Sequence, residues 1–354
     1  MGTGNGRNRA CNVSFARFQP NLSDSGLTET IISTTSNKDT VTNAYAALRE
    51  SLRSVAFTTP TPFSDSCDEV RYEQIEENAQ TLYDQGARVF IPCGNTGEYY
   101  SLSQDERVDV VRTTVKALPE DATVVGGAGG STKTAIELLE AYEDAGADAG
   151  MIMYPRHTYI HEKGLIEYYR SLAEATDLGL VLYKRGPLLN ESVLDELSSL
   201  DNVIAVKYAV NDVKQFSRLI DTVSGDVEWL NGVAERYALS YAIEGADGFT
   251  TGIGNFVPRQ VLKLDRALSS GDWMRAKAIK NALRPLEDIR EESSGNQVFS
   301  SAKNVPVVKY GQELQGMNGG PVRDPLVELS ANDRARVENY LEQLESENAA
   351  SLDA

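Results

Sequence analysis

From Ser54 onward, short β-branched or apolar runs alternate with helical stretches eight times, and this alternation constrains the fold more than any other feature of the chain. The strands read as Ser54–Thr59, Arg88–Cys93, Thr123–Ala128, Ala147–Met153, Leu178–Lys184, Val203–Lys207, Val227–Leu230 and Asp247–Thr251. Between them lie helical stretches such as Val70–Gln85, Gln104–Leu118, Lys133–Ala145 and Val213–Val223. Within the third, Ile136, Leu139, Tyr142 and Ala145 fall on one face, the spacing of an amphipathic helix. Strands joined by helices form a parallel sheet covered on both faces. Eight such units predict an α/β fold, a (β/α)₈ TIM barrel; a doubly wound open sheet is the alternative built from the same units.

The chain continues past the eighth strand. Val257–Leu268, led by Pro258, reads as the eighth barrel helix. Trp273–Glu292, Gln297–Leu314 and Asn332–Leu344 read as a C-terminal helical appendage, with Gly319-Gly320-Pro321 marking the turn before the last helix. Residues 1–43, rich in Ser, Thr, Asn and Gly and without sustained periodicity, read as a disordered leader or as an upstream start that is not part of the mature protein. The expected division is leader 1–43, barrel 44–270 and appendage 271–347.

Charge narrows the partners. A formal net charge of −18 repels nucleic acid and anionic membrane, and no basic stripe offsets it locally. Two readings of the acidic excess stand: an ordinary acid-surfaced soluble enzyme, or adaptation to high salt, where dense carboxylates keep the surface hydrated. No stretch approaches the roughly 20 apolar residues that cross a membrane. The N-terminus lacks an apolar signal core, so the expected location is the cytoplasm. Cys11, Cys67 and Cys93 show no CxxC spacing, which supports neither a disulfide framework nor a zinc site.

In a barrel, functional groups gather at the carboxyl ends of the strands. The second strand runs into Gly94-Asn95-Thr96-Gly97-Glu98. Its glycines permit a tight turn that presents backbone N–H groups, and Thr96 adds a hydroxyl, a combination suited to a carboxylate. The plainer reading is an ordinary βα turn with Glu98 leading into the next helix. The fifth strand ends in Tyr183-Lys184-Arg185, where a phenol can pass protons in the barrel mouth or simply cap the core. Arg185 can grip a second carboxylate or a sugar hydroxyl. The sixth strand is apolar until Lys207. Burial there lowers a lysine's pKa and leaves a neutral, nucleophilic amine; alternatively the side chain snorkels to solvent. Thr250, Thr251 and Gly252 close the eighth strand at the same mouth and are expected to contact the substrate.

Other features read as structural. His157 and His161 stand at i, i+4 in a loop-like segment without an evident third ligand, so no metal is expected. The glycines from Gly126 to Gly130 lack the order of a dinucleotide loop and suit close backbone packing, so no cofactor is expected. Cys93 has no histidine placed to activate it.

Taken together, GNTGEYYSL, LVLYKR and VIAVKYAVND, in this order and spacing, resemble the dihydrodipicolinate synthase/N-acetylneuraminate lyase family of class I aldolases. GGAGGSTKTAIELLEAYEDAGADAGMIMYP and GADGFTTGIGNFVP extend the resemblance over roughly Ser54 to Leu344. The chain is most similar to the 5-dehydro-4-deoxyglucarate dehydratase branch, through TGE followed by two aromatics, YxR after the fifth strand, GNFVP and GGPVRDPLVELS. The resemblance implies a Schiff base at Lys207, proton relay by Tyr183 aided by Thr96, and a substrate carboxylate held by Gly94, Asn95, Thr96 and Gly97. It implies a 2-keto-3-deoxy sugar acid as substrate, a dehydratase as first reading, and a homo-oligomer, dimer or tetramer. An aldolase releasing pyruvate, a synthase-like condensation and a non-catalytic sugar-acid-binding barrel are the alternatives. The chain departs from the family pattern at Asn95, where synthases carry threonine, and at Lys184, where asparagine is usual; Tyr208-Ala209 stands where the glucarate dehydratase branch carries Asp-Gly.

Overall fold

A computed structural model of the chain describes residues 44–293 and 301–352, with side chains to residue 346. The expected leader and the start of the Gln297–Leu314 segment lie outside the described residues. Eight parallel strands pair in chain order and close on themselves. They are β1 (Val55–Phe57), β2 (Val89–Phe90), β3 (Thr123–Ala128), β4 (Ala149–Ile152), β5 (Gly179–Lys184), β6 (Val203–Tyr208), β7 (Glu228–Asn231) and β8 (Gly248–Thr251). Closure is explicit in the register, where Phe57 of β1 lies opposite both Phe90 of β2 and Thr251 of β8. The expected TIM barrel is the observed fold.

Helices α1 (Tyr72–Asp84), α2 (Gln104–Ala117), α3 (Thr132–Asp144), α4 (Glu162–Glu174), α5 (Glu191–Leu197), α6 (Val213–Thr222), α7 (Glu235–Ile243) and α8 (Pro258–Ser269) each follow a strand. Their starts are chemically specified. Ser103 and Glu106 form a reciprocal capping box on α2, and Ser131, Asn190 and Asp212 cap α3, α5 and α6. A further helix over 44–52, which the sequence pattern had not suggested, closes the amino end of the barrel. Just beyond it, Arg53 forks onto the buried carboxylate of Glu228 at 2.9 and 3.1 Å.

Beyond the barrel lie α9 (Trp273–Glu291), α10 (Asn304–Leu314) and α11 (Ala331–Leu352). Leu283 and Leu286 of α9, Val307 and Val308 of α10, and Val337 and Leu341 of α11 join one apolar cluster with Phe57, Phe90 and Phe249 of the strands. The C-terminal helices therefore share the core of the barrel wall.

Several boundaries differ from expectation. β2 spans only Val89–Phe90; Ile91 and Pro92 still bond to the flanking strands, and the chain turns at Cys93, which takes a positive φ of 56°. β7 is shifted one residue onward, and β6 runs one residue past Lys207 to Tyr208. Val70 pairs with Phe63 in an isolated bridge, so α1 starts at Tyr72. The Gly319-Gly320-Pro321 turn is followed by irregular chain with a further turn at 324–325, until α11 begins at Ala331. No helix among the described residues is long and apolar enough to cross a membrane.

Candidate active site

The central pair comes from adjacent strands. Tyr183 of β5 lies directly opposite Lys207 of β6, while Lys184 lies opposite Tyr208. Side chains alternate across a strand, so the two pairs face opposite sides of the barrel wall. Tyr208 packs on Phe216 of α6 and Tyr241 of α7, which places it and Lys184 on the outer side. Tyr183 and Lys207 therefore face the barrel interior. Lys184 is spent on the outer side, donating to the carbonyl of Gly186 at 2.9 Å.

Lys207 is 5% exposed, and its Nζ lies 4.6 Å from the Tyr183 ring centroid. Burial, with a smaller contribution from Arg185, lowers its pKa to about 7. An aliphatic amine with that pKa is substantially neutral at physiological pH. Tyr183 accepts a 2.9 Å hydrogen bond from Asn95 Nδ2. Burial raises its pKa, while Arg185, the Asn95 hydrogen bond and Arg156 oppose the rise.

The structure divides the expected loop residues. Asn95 reaches the phenol; Thr96 faces Thr58 instead, with the two hydroxyl oxygens 3.1 Å apart. Thr58 Oγ1 also lies 2.6 Å from the carbonyl oxygen of Thr251, which can only accept. The Thr58 hydroxyl is thus placed as donor toward both the Thr96 hydroxyl and that carbonyl. Gly97 is required by packing, since a Cβ there would fall 2.9 Å from the carbonyl oxygen of Thr59. At Gly94 a Cβ would make only ordinary contact with Met151, at 3.4 Å. Glu98 does not lead simply into the next helix: it takes a left-handed φ of 55° and is buried against Lys309 of α10.

The residues closing β8 separate as well. Thr250 faces inward, its hydroxyl 3.5 Å from the Asn231 carbonyl. The Thr251 hydroxyl turns outward and donates to Glu235, a fully buried carboxyl whose pKa burial pushes up to about 8. Gly252 is roofed by Arg290, where a Cβ would fall 2.2 Å from Nη2. Arg185 is exposed at the mouth.

Sequence reasoning missed several groups. Arg156, after β4, lies with its guanidinium 4.1 Å from the Tyr100 ring centroid and bears on the Tyr183 phenol, bringing a second cation to the mouth. Its loop is tied to that of Arg185 by Tyr154, whose hydroxyl accepts from the Leu188 N–H at 2.9 Å and packs over Gly186. Thr58 stands just past the end of β1, a position that strand-end logic reaches. Lys309 interrupts the apolar run Val305-Pro306-Val307-Val308, the same signal that singled out Lys207. Nothing in the sequence points Arg156 toward Tyr183.

A cleft of about 690 Å³ adjoins the site, walled by Tyr99, Tyr100, Arg107, Arg156 and Tyr168, with both histidines on its rim. The histidine Nδ1 atoms accept from backbone N–H groups, His157 from Tyr159 and His161 from Lys163, each at 3.1 Å. Cys93 is buried, and desolvation pushes its thiol up to about 12. The glycines of β3 allow close packing: a Cβ on Gly127 would fall 2.0 Å from the Cys93 carbonyl oxygen.

The closed barrel, with a desolvated amine beside a phenol at its carboxyl end, defines the class: a (β/α)₈-barrel lyase. The chain belongs to the dihydrodipicolinate synthetase family, whose model matches residues 51–344. It is 32% identical to the 4-hydroxy-tetrahydrodipicolinate synthase of Methanothrix thermoacetophila, over 80% of this chain and 94% of that one. It is 30% identical to a probable 5-dehydro-4-deoxyglucarate dehydratase of Rhodococcus opacus, over 80% of this chain and 92% of that one. The crystal structure of dihydrodipicolinate synthase from Oceanobacillus iheyensis superposes with a TM-score of 0.81 at 32% identity, covering 85% of this chain and 99% of that one.

Proposed function

We propose that this lyase joins Lys207 to the C2 ketone of a 2-keto-3-deoxy sugar acid and expels the C4 hydroxyl as water. The observation that carries the reading is the buried, largely neutral Lys207 amine beside Tyr183. Its lone pair attacks C2, and the carbinolamine loses water to give an iminium. The iminium acidifies C3, and loss of that proton gives an enamine. As the enamine electrons shift into C3–C4, the C4–O bond breaks and the protonated oxygen departs as water. Hydrolysis of the imine returns the free amine. The net change in the substrate is the loss of one water molecule.

Tyr183 is the group suited to the proton transfers, held by Asn95 and facing the amine. Thr96 enters through Thr58 and the β8 carbonyl, supporting the loop from behind. The loop N–H groups suit the substrate's own carboxylate, and Arg185 and Arg156 give the mouth a positive face for an acidic or hydroxylated tail. No cofactor or metal enters the scheme.

Dehydration is favoured over its competitors by the branch motifs and by the relatives described as 5-dehydro-4-deoxyglucarate dehydratases. If the C4 hydroxyl loses its proton instead, C3–C4 breaks and pyruvate leaves as in an aldolase. A condensation that uses a pyruvate enamine as nucleophile is the second reading, supported by the Methanothrix relative. We place the enzyme in the cytoplasm as a homo-oligomer. Borohydride reduction with pyruvate, read by mass spectrometry, tests the Schiff base. Incubation with a panel of 2-keto-3-deoxy acids separates the reactions: 2-oxo-3-enoic acids, or the dioxo acids to which they tautomerise through C5, support dehydration, whereas release of pyruvate overturns it.

A further inference from the structure

The loop that carries Asn95 is anchored from outside the barrel. It closes as a turn, with Glu98 N–H donating to the Asn95 carbonyl at 3.2 Å and Tyr99 N–H to the Gly94 carbonyl at 3.1 Å. Glu98 completes that turn with a left-handed φ of 55°, a conformation disfavoured for any residue with a Cβ and therefore one that its surroundings must hold. The Glu98 carboxylate lies 2.6 Å from Lys309 Nζ, the two side chains being 0% and 2% exposed. Its second oxygen accepts from the Arg323 N–H at 3.0 Å.

Both anchors come from the C-terminal segment and are themselves fixed. Lys309 Nζ donates to the Pro321 carbonyl at 2.6 Å and sits 4.3 Å from the Phe63 ring centroid. The Arg323 guanidinium forks onto Glu106 at 2.9 and 2.7 Å and donates to the carbonyls of Cys67 and Ser101. At the other end of the same turn, Asn95 Nδ2 reaches the Tyr183 hydroxyl.

We infer that Lys309 is a positioning residue for proton transfer at Tyr183, acting through Glu98 and the turn that presents Asn95 to the phenol. The inference rests on the Schiff-base reading of the site. Lys309 is on the far side of the loop from the reacting atoms, so its effect falls on proton transfer and spares the attack of the Lys207 amine. The phenol faces Lys207 from β6, Arg185 at the end of its own strand, and Tyr100 and Arg156 from neighbouring loops. Asn95 is the neutral donor among them. Its hydrogen bond favours the phenolate, so a displaced Asn95 lets the phenol pKa rise.

The test compares Lys309→Met, the neutral pair Glu98→Gln/Lys309→Met, Lys309→Arg and Asn95→Ala. Trapping of pyruvate on Lys207 by borohydride is the separate control: its absence in the wild-type protein sinks the Schiff-base reading itself. Where trapping holds, the folded neutral pair is expected to trap at the wild-type rate but to turn over roughly 10²-fold more slowly, the cost of misplacing a catalytic group. The alkaline limb of the kcat profile should move to higher pH. Asn95→Ala should move that limb the same way, and combining it with Lys309→Met should add little further. Lys309→Arg, which keeps the charge, should recover part of kcat. Wild-type kcat and an unmoved limb in the folded neutral pair overturn the inference, as do effects of Asn95→Ala and Lys309→Met that multiply independently.

Discussion

Tyr183 and Lys207 occupy opposed positions on neighbouring strands, with the lysine Nζ 4.6 Å from the phenol ring centroid. Parallel pairing fixes this relationship in the backbone, before any side chain chooses a rotamer. The amine is desolvated by the same wall that places the phenol next to it, so the proposed nucleophile and the proposed proton carrier are set by one stretch of sheet.

Lys207→Ala should abolish turnover and borohydride labelling together. Lys184, the other lysine on a barrel strand, is buried on the outer side of the wall and donates to the Gly186 carbonyl. Peptide mapping checks this, and a label found on Lys184 in the variant would contradict the assignment.

The pH dependence of trapping follows from the same amine. An ammonium has no lone pair, so the trapping rate should fall as pH drops below about 7 and level off above it. Arg185 contributes to holding that pKa down, so Arg185→Ala should move the acid limb to higher pH. Rates of pyruvate trapping across pH measure both. An acid limb that stays in place shows that burial alone sets the value.

Tyr183→Phe keeps the ring beneath the lysine and removes the hydroxyl that Asn95 holds. Turnover should fall by roughly 10²–10⁴-fold while trapping on Lys207 survives and folding is nearly unchanged. Full turnover in the variant would mean that another group or water carries the proton.

Gly127→Ala probes the packing that seats the loop. Its Cβ would fall 2.0 Å from the Cys93 carbonyl oxygen, which is backbone and cannot rotate away. The expected destabilisation is about 3 kcal/mol or more, read from urea unfolding. An unchanged midpoint would show that β2 and β3 separate easily.

Exhaustive dialysis against EDTA should leave activity intact, because the scheme runs on an amine and a phenol alone. A loss restored by a divalent cation would return attention to the two histidines. Light scattering at micromolar concentration should give a dimer or tetramer, and a clean monomer would count against the assembly proposed.

The sequence by itself determined the barrel and the pair at its centre. Strand period and helix period say which residues share a face, and a lysine or tyrosine at a strand's carboxyl end inherits its place from that rule. This reasoning reaches Lys207 and Tyr183. The tertiary structure alone decided that Asn95, and not Thr96, meets the phenol, that Thr251 turns its hydroxyl to Glu235, and that Arg156 joins Arg185 at the mouth. Those choices depend on loop conformations such as the left-handed Glu98 and on contacts between segments far apart in the chain, such as Glu98 with Lys309. A loop has no period, and a pairing across the closed barrel leaves no mark on either partner's local sequence, so only the folded chain brings them together.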